Sequence, residues 1–138
     1  ARRARPSGVS SIDRSRRVGE LRFTAVPADT LPGSADGHVL AELIARGRVM
    51  HAGDTLGAAQ HMLDQAVAYA GTREQFGRKI ASFQAVKHLC ADMASQLEPC
   101  RALLWYAAYA QDALPDEAAL YACHAKAHLA EVGSFVAR

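Results

Sequence analysis

The sequence predicts an all-α chain, an antiparallel up-and-down helical bundle contributing three helices, preceded by the last strand of a β-domain. Three observations predict it. Apolar residues recur at alternating steps of three and four through three long runs. Short Gly- or Pro-bearing breaks separate those runs. The composition, 50% apolar and 22% charged with abundant alanine, suits helices that bury one face.

The strand comes first. Over residues 19–26, Leu21, Phe23 and Val26 approximate a period of two, the mark of a half-buried strand. A lone strand is unstable, so this one is expected to join a sheet whose other strands lie outside the chain. Pro27 ends it, and turn chemistry around Pro32 and Gly33 leads into the helices. The expected division is 1–34 for the β-domain end and linker, and 35–138 for the partial bundle.

The first helix is expected from His38, with Val49, Ala52, Leu56, Ala59, Leu63, Ala66 and Ala70 on one stripe until Gly71-Thr72 breaks it. The second carries Val86, Cys90, Met93, Leu97, Cys100, Leu104 and Ala107, with Ser82 as its expected N-cap. Pro99 falls inside this run. The apolar register continues across it, which predicts one kinked helix, with the Ser95 hydroxyl available to the disturbed turn. Pro115-Asp116 marks a tight turn, and Ala118, Tyr121, Ala125, Leu129, Val132 and Val136 form the third stripe. Helices with such short connections pack as antiparallel neighbours. The third runs to Arg138 without a stop signal, and the chain reads as cut at both ends. An isolated segment of this kind is expected to be inactive and poorly stable, because its apolar stripes stay exposed.

Charge and cysteine content exclude several classes. The net charge is +2. Arg2, Arg3, Arg5, Arg14, Arg16, Arg17 and Arg22 crowd the first 22 residues, but no aromatic accompanies them to stack on bases, so a nucleic-acid interface is not expected. No apolar run approaches the ~20 residues of a membrane span, and no apolar signal segment follows the arginines. Cys90, Cys100 and Cys123 are an odd set among helix formers, which predicts packed, reduced thiols in a cytoplasmic protein. His124 and His128 share a helix face, but with no third ligand well placed, no metal site is expected. Trp105, Tyr106 and Tyr109 read as core or interface aromatics.

The chemistry concentrates between the first two helices, in Tyr69-Ala70-Gly71-Thr72-Arg73-Glu74-Gln75-Phe76-Gly77-Arg78-Lys79-Ile80-Ala81-Ser82-Phe83-Gln84. A loop that opens onto a helix N-terminus offers backbone amides and a positive dipole end to a phosphate. Arg73 adds a planar fork of donors, Phe76 an aromatic face, and Gln75 and Gln84 neutral hydrogen-bonding groups. Gly77 permits a tight turn. From spacing alone, such residues between two helices are more often those of an ordinary connector.

This segment closely resembles the Tyr-Ala-x-x-Arg-x-Gln-Phe-Gly-x-x-Ile-x-x-Phe-Gln stretch of acyl-CoA dehydrogenases. The likeness continues through Leu89-Cys90-Ala91-Asp92-Met93 and upstream through Leu56-Gly57-Ala58-Ala59-Gln60 and Leu63-Asp64-Gln65-Ala66-Val67. The resemblance implies FAD as cofactor, bound across a subunit interface by Arg73, Gln75, Phe76, Phe83 and Gln84, with Arg73 on the pyrophosphate. It also implies a homo- or hetero-oligomer, commonly a dimer of dimers, an acyl-CoA substrate near Arg48, and an electron acceptor such as an electron-transfer flavoprotein. The family reaction is α,β-dehydrogenation of the thioester, with a glutamate removing the α-proton. Most members place that glutamate far downstream, and a minority place it directly before the residue matching Arg48. Here that position is Gly47, while Glu42 is more than a turn away, so no catalytic residue is assigned. The aspartate that many members carry three residues before that arginine is Ala45 here. These departures leave two other readings: a non-catalytic partner subunit of a heteromeric dehydrogenase, and a purely structural helical association domain. An acyl-CoA oxidase shares the same residues.

Overall fold

The protein is described here from a computed structural model covering residues 3–12, 18–34 and 37–138. The chain divides into two compact units, Ala1–Ala35 and Asp36–Arg138.

In the first unit, β1 (Arg3–Val9) pairs antiparallel with β2 (Val18–Thr24), in a register from Arg3 opposite Thr24 to Val9 opposite Val18. The strand expected at 19–26 is therefore present, but two expectations about it fail. Its partner lies within the chain rather than outside it. And β2 is exposed along its whole length, with Leu21 60% and Phe23 65% accessible, rather than half-buried. The backbone ladder makes the pairing, and a two-stranded ribbon offers no second layer to cover the alternate side chains. Of the arginine-rich segment, Arg2, Arg14, Arg16 and Arg17 lie outside the described residues. Arg22 Nε donates to Glu20 Oε1 at 2.7 Å.

The second unit is a three-helix bundle in which every helix packs against the other two. Helix α1 spans His38–Thr72, α2 Gln84–Ala113 and α3 Pro115–Val136. The expected start at His38 holds, Pro115 and Asp116 open α3 rather than forming the tight turn expected there, and α2 runs unbroken through Pro99. Ser95 gives its hydroxyl to Asp92 O at 2.9 Å, three residues back, so it does not replace the bond that Pro99 removes. Only Leu114 separates α2 from α3. Pro115 occupies the first turn of α3, where no intrahelical N–H is needed, and Asp116 and Glu117 complement the dipole there. The joint is locked by Gln111, whose Nε2 donates to Ala107 O at 3.1 Å and to Ala118 O at 3.0 Å. Among the described residues no helix is long and apolar enough to cross a membrane.

The core follows the three expected stripes. Ala52, Leu56, Ala59 and Leu63 of α1, Leu97, Cys100 and Ala107 of α2, and Ala125, Leu129, Val132 and Val136 of α3 form one buried cluster. Ala45, Ala110, Ala122 and Gly133 join the buried set although the stripes did not include them. Trp105, Tyr106 and Tyr109 are exposed, so they are not core aromatics of this unit. Tyr106 and Tyr121 stack edge-on with ring centroids 4.5 Å apart, and a hydrogen bond with Tyr106 that favours the protonated form raises the Tyr121 phenol above its ordinary range. Burial likewise pushes the Cys100 thiol up. The unfolded chain would release this proton first, so the stability it contributes is complete below the free thiol's pKa and declines as pH rises past it.

Small residues at the seams let the helix backbones approach closely, and among the helical glycines described Gly133 has the least room for a side chain. A Cβ there would lie 2.7 Å from Thr55 Cγ2 on α1. Thr55 cannot easily turn away, because its hydroxyl is bonded to His51 O at 2.9 Å and its χ1 is stiff. Gly133→Ala is expected to cost about 1 kcal/mol net, overpacking outweighing the helix propensity gained. In a Thr55→Ser background, which deletes the opposing methyl, the same change should raise stability by a few tenths up to about 1 kcal/mol. The denaturant midpoints of the four proteins test this, and the absence of a sign reversal would refute it.

Candidate cofactor-bridging site

The segment between α1 and α2 is more ordered than a connector. Arg73 terminates α1, its N–H bonded to Tyr69 O at 2.9 Å, while its own carbonyl accepts from Ile80 N at 2.9 Å. Between these anchors a small hairpin forms: β3 (Glu74–Gln75) pairs with β4 (Arg78–Lys79), Gln75 facing Arg78. The turn consists of Phe76 and Gly77, at φ 54° and 74°. Positive φ at both central positions is the requirement of the type I′ hairpin turn, which favours Asn-Gly. Glycine adopts it freely. Phenylalanine does not, at a cost of order 1–3 kcal/mol. Phe76 is nevertheless 91% exposed, so burial of its own ring does not offset that cost.

After β4, a 3-10 turn over Ile80–Ser82 leads to Phe83, which precedes α2. The expected N-cap Ser82 is not the cap. Its hydroxyl donates to Lys79 O at 2.7 Å, and Phe83 holds the cap position with no side-chain hydrogen bond to the helix. The 3-10 turn has shifted the start of α2 beyond the reach of the serine. The first amides of α2 are therefore left without a side-chain acceptor, which keeps the positive end of the helix open to an anion.

The structure brings some of the expected residues together. Phe76 and Phe83 meet with ring centroids 6.1 Å apart at 87°. Arg73, Gln75 and Gln84 are exposed on the same short segment, and no interaction engages the Arg73 guanidinium among the described residues. The residue that the sequence reading missed is Arg78, whose guanidinium carbon lies 4.0 Å from the Phe83 ring centroid. No sequence spacing announces that contact, because it depends on the two-residue turn. Beside the hairpin, an apolar groove of about 580 Å³ is bounded by Tyr69, Ile80, Leu89, Met93 and Phe135 among others.

Arg48 lies apart. It sits on α1 about 37 Å along the axis from Arg73, given the rise of 1.5 Å per residue. Its Nη1 donates to Cys123 Sγ on α3 at 3.2 Å, and both residues are exposed. The expected substrate residue and the expected cofactor residues thus occupy opposite parts of the bundle. Gly47, half-buried, offers no side chain beside Arg48. Glu42 lies 3.9 Å from His38 Nδ1 at the edge of a cavity of about 210 Å³ that also touches Ala45 and Arg46. His124 packs its ring edge-on against Tyr121.

Comparison with known proteins agrees with this architecture. The subunit CarC of the caffeyl-CoA reductase-Etf complex of Acetobacterium woodii is 46% identical over 66 residues, 48% of this chain and 17% of that protein. The mitochondrial short-chain specific acyl-CoA dehydrogenase of Bos taurus is 40% identical over 89 residues, 63% of this chain and 22% of that protein. Among solved structures, a Tcur3481-Tcur3483 steroid ACAD variant superposes with a TM-score of 0.75 at 34% identity, covering 95% of this chain and 35% of the other. The chain spans about a fifth of the length of these curated relatives. The family description "Acyl-CoA dehydrogenase, C-terminal domain" matches residues 36–138, and with the three-helix bundle already described it establishes that the chain belongs to the acyl-CoA dehydrogenase family.

Proposed function

We propose that this chain supplies the cofactor-bridging segment of an FAD-dependent dehydrogenase that forms an α,β double bond in an acyl-CoA thioester. The observation that carries the reading is the segment 73–84, a hairpin followed by a 3-10 turn and the start of α2. It exposes an uncommitted arginine and a strained aromatic beside an uncapped helix start. A dinucleotide fits that donor set: the Arg73 fork and the α2 amides suit a diphosphate, the Gln75 and Gln84 amides suit ribose or ring edges, and Phe76 offers a stacking face. Glu74 is the one carboxylate within the segment. The flavin of FAD supplies the acceptor for the hydride that leaves the substrate Cβ. The chain's own residues bind and orient, across an interface with an identical or homologous subunit. Arg48 is proposed to contact the acyl-CoA from the other end of α1. No residue here is assigned to proton abstraction, because Gly47 has no side chain and Glu42 is half exposed beside His38.

A partner-subunit role is the second reading, favoured by Ala45, where many family members carry an aspartate, and Gly47, where a minority carry the glutamate base. Purification of the intact protein separates the possibilities. The dehydrogenase reading predicts bound flavin that an acyl-CoA panel reduces, with electrons passing to a dye or an electron-transfer flavoprotein. Bound flavin without turnover favours the partner subunit. A preparation with neither flavin nor dye reduction overturns both and favours a structural association domain.

A further inference from the structure

We propose that Arg78 is a positioning residue, holding Phe83 and through it Phe76 in the conformation that presents an aromatic face to the bound nucleotide. The inference deepens the reading of residues 73–84 as a cofactor-bridging segment and rests on it. Phe76 stands at φ 54° in a turn where asparagine or glycine is the favoured residue, and it is 91% exposed. Neither local propensity nor burial of its own side chain explains how that conformation persists. Strained residues endure where their surroundings over-determine them. Here the surroundings are one ring and one cation.

Phe83, half-buried at the cap position of α2, meets Phe76 nearly at a right angle with centroids 6.1 Å apart. That arrangement sets the positive edge of one aromatic toward the negative face of the other. Arg78 places its guanidinium 4.0 Å from the Phe83 centroid, within the range of cation–π attraction. The backbone of Arg78 is meanwhile tied into the hairpin opposite Gln75, next to the turn that contains Phe76. One residue thus joins the two strands of the hairpin to the ring that braces its tip. No carboxylate pairs with Arg78 among the described residues, so its charge faces the ring rather than an acid. A side chain used in this way acts on the ligand through Phe83 and Phe76.

The test is a double-mutant cycle on the intact protein, reading the Kd for FAD by reconstitution of flavin-stripped protein. Arg78→Met and Phe76→Ala should each weaken FAD binding, Arg78→Met by about three- to tenfold, the scale of a cation–π contact. The double variant should bind no more than about twofold worse than Phe76→Ala, because Arg78 has nothing left to position. Arg78→Lys, which keeps a cation for the ring, should recover most of the loss. Additive effects with a flattened salt dependence would instead make Arg78 a direct phosphate contact and overturn the proposal. So would an unchanged Kd for Arg78→Met when Phe76→Ala still weakens binding. If Arg73→Ala and Phe76→Ala also leave Kd unchanged, the cofactor-bridging reading itself falls, and the role of Arg78 falls with it.

Discussion

Arg73→Ala is expected to lower the affinity of the intact protein for FAD by about 10- to 100-fold while leaving the bundle folded. The size follows from charge-assisted hydrogen bonds, each worth about 1.5–3 kcal/mol, where every 1.4 kcal/mol is tenfold in Kd. The backbone of Arg73 is engaged on both sides, by Tyr69 O and Ile80 N, and neither bond needs its side chain. The guanidinium itself is exposed and has no partner among the described residues, so its removal should change the free energy of unfolding by less than about 0.5 kcal/mol. Arg73→Lys should fall between, since it keeps the charge but loses the planar fork. Flavin content that survives Arg73→Ala unchanged, with the assembly intact, would refute the assignment of Arg73 to the pyrophosphate.

The helices were legible because their buried faces repeat at three- and four-residue steps, and those steps include small residues such as Ala52, Ala59, Ala107 and Ala125 as well as leucines. Four further small residues were missed. Ala45, Ala110, Ala122 and Gly133 are buried because the backbones come close, and that is a property of helix pairing rather than of hydropathy. Strand β1 was missed for a different reason. Arg3–Val9 holds Pro6 and Gly8 and shows no apolar alternation, so only its ladder with β2 reveals it. In the candidate site, sequence resemblance picked out Arg73, Gln75, Phe76, Phe83 and Gln84, and spacing alone could not tell them from a connector. The I′ turn at Phe76-Gly77 and the approach of Arg78 to Phe83 required the folded hairpin. The Arg48–Cys123 contact joins residues on different helices that no local pattern connects.

The alanine-rich seams have an energetic consequence that Leu129→Ala should expose. Among the described residues, Leu97, Leu129, Val132 and Cys100 are the largest fully buried side chains, and much of the remaining core is alanine. Alanine buries little area, so close packing of a few large groups must supply much of the apolar stabilisation at the centre of the bundle. Leu129 is 0% exposed on α3, which packs against both α1 and α2. Truncating it removes its transfer free energy and leaves a cavity that long, closely spaced helices cannot readily collapse, for an expected loss of about 3 kcal/mol. In the intact protein, the slowest-exchanging amides of α1 and α3 should lose about 100-fold in protection, the same quantity expressed as an opening equilibrium. Leu120→Ala, at a position 52% exposed on the same helix, should change protection by no more than about twofold. Equal effects of the two substitutions would mean that the three-helix core does not govern the stability of this unit, and that its apolar surface is secured by contacts with other parts of the assembly.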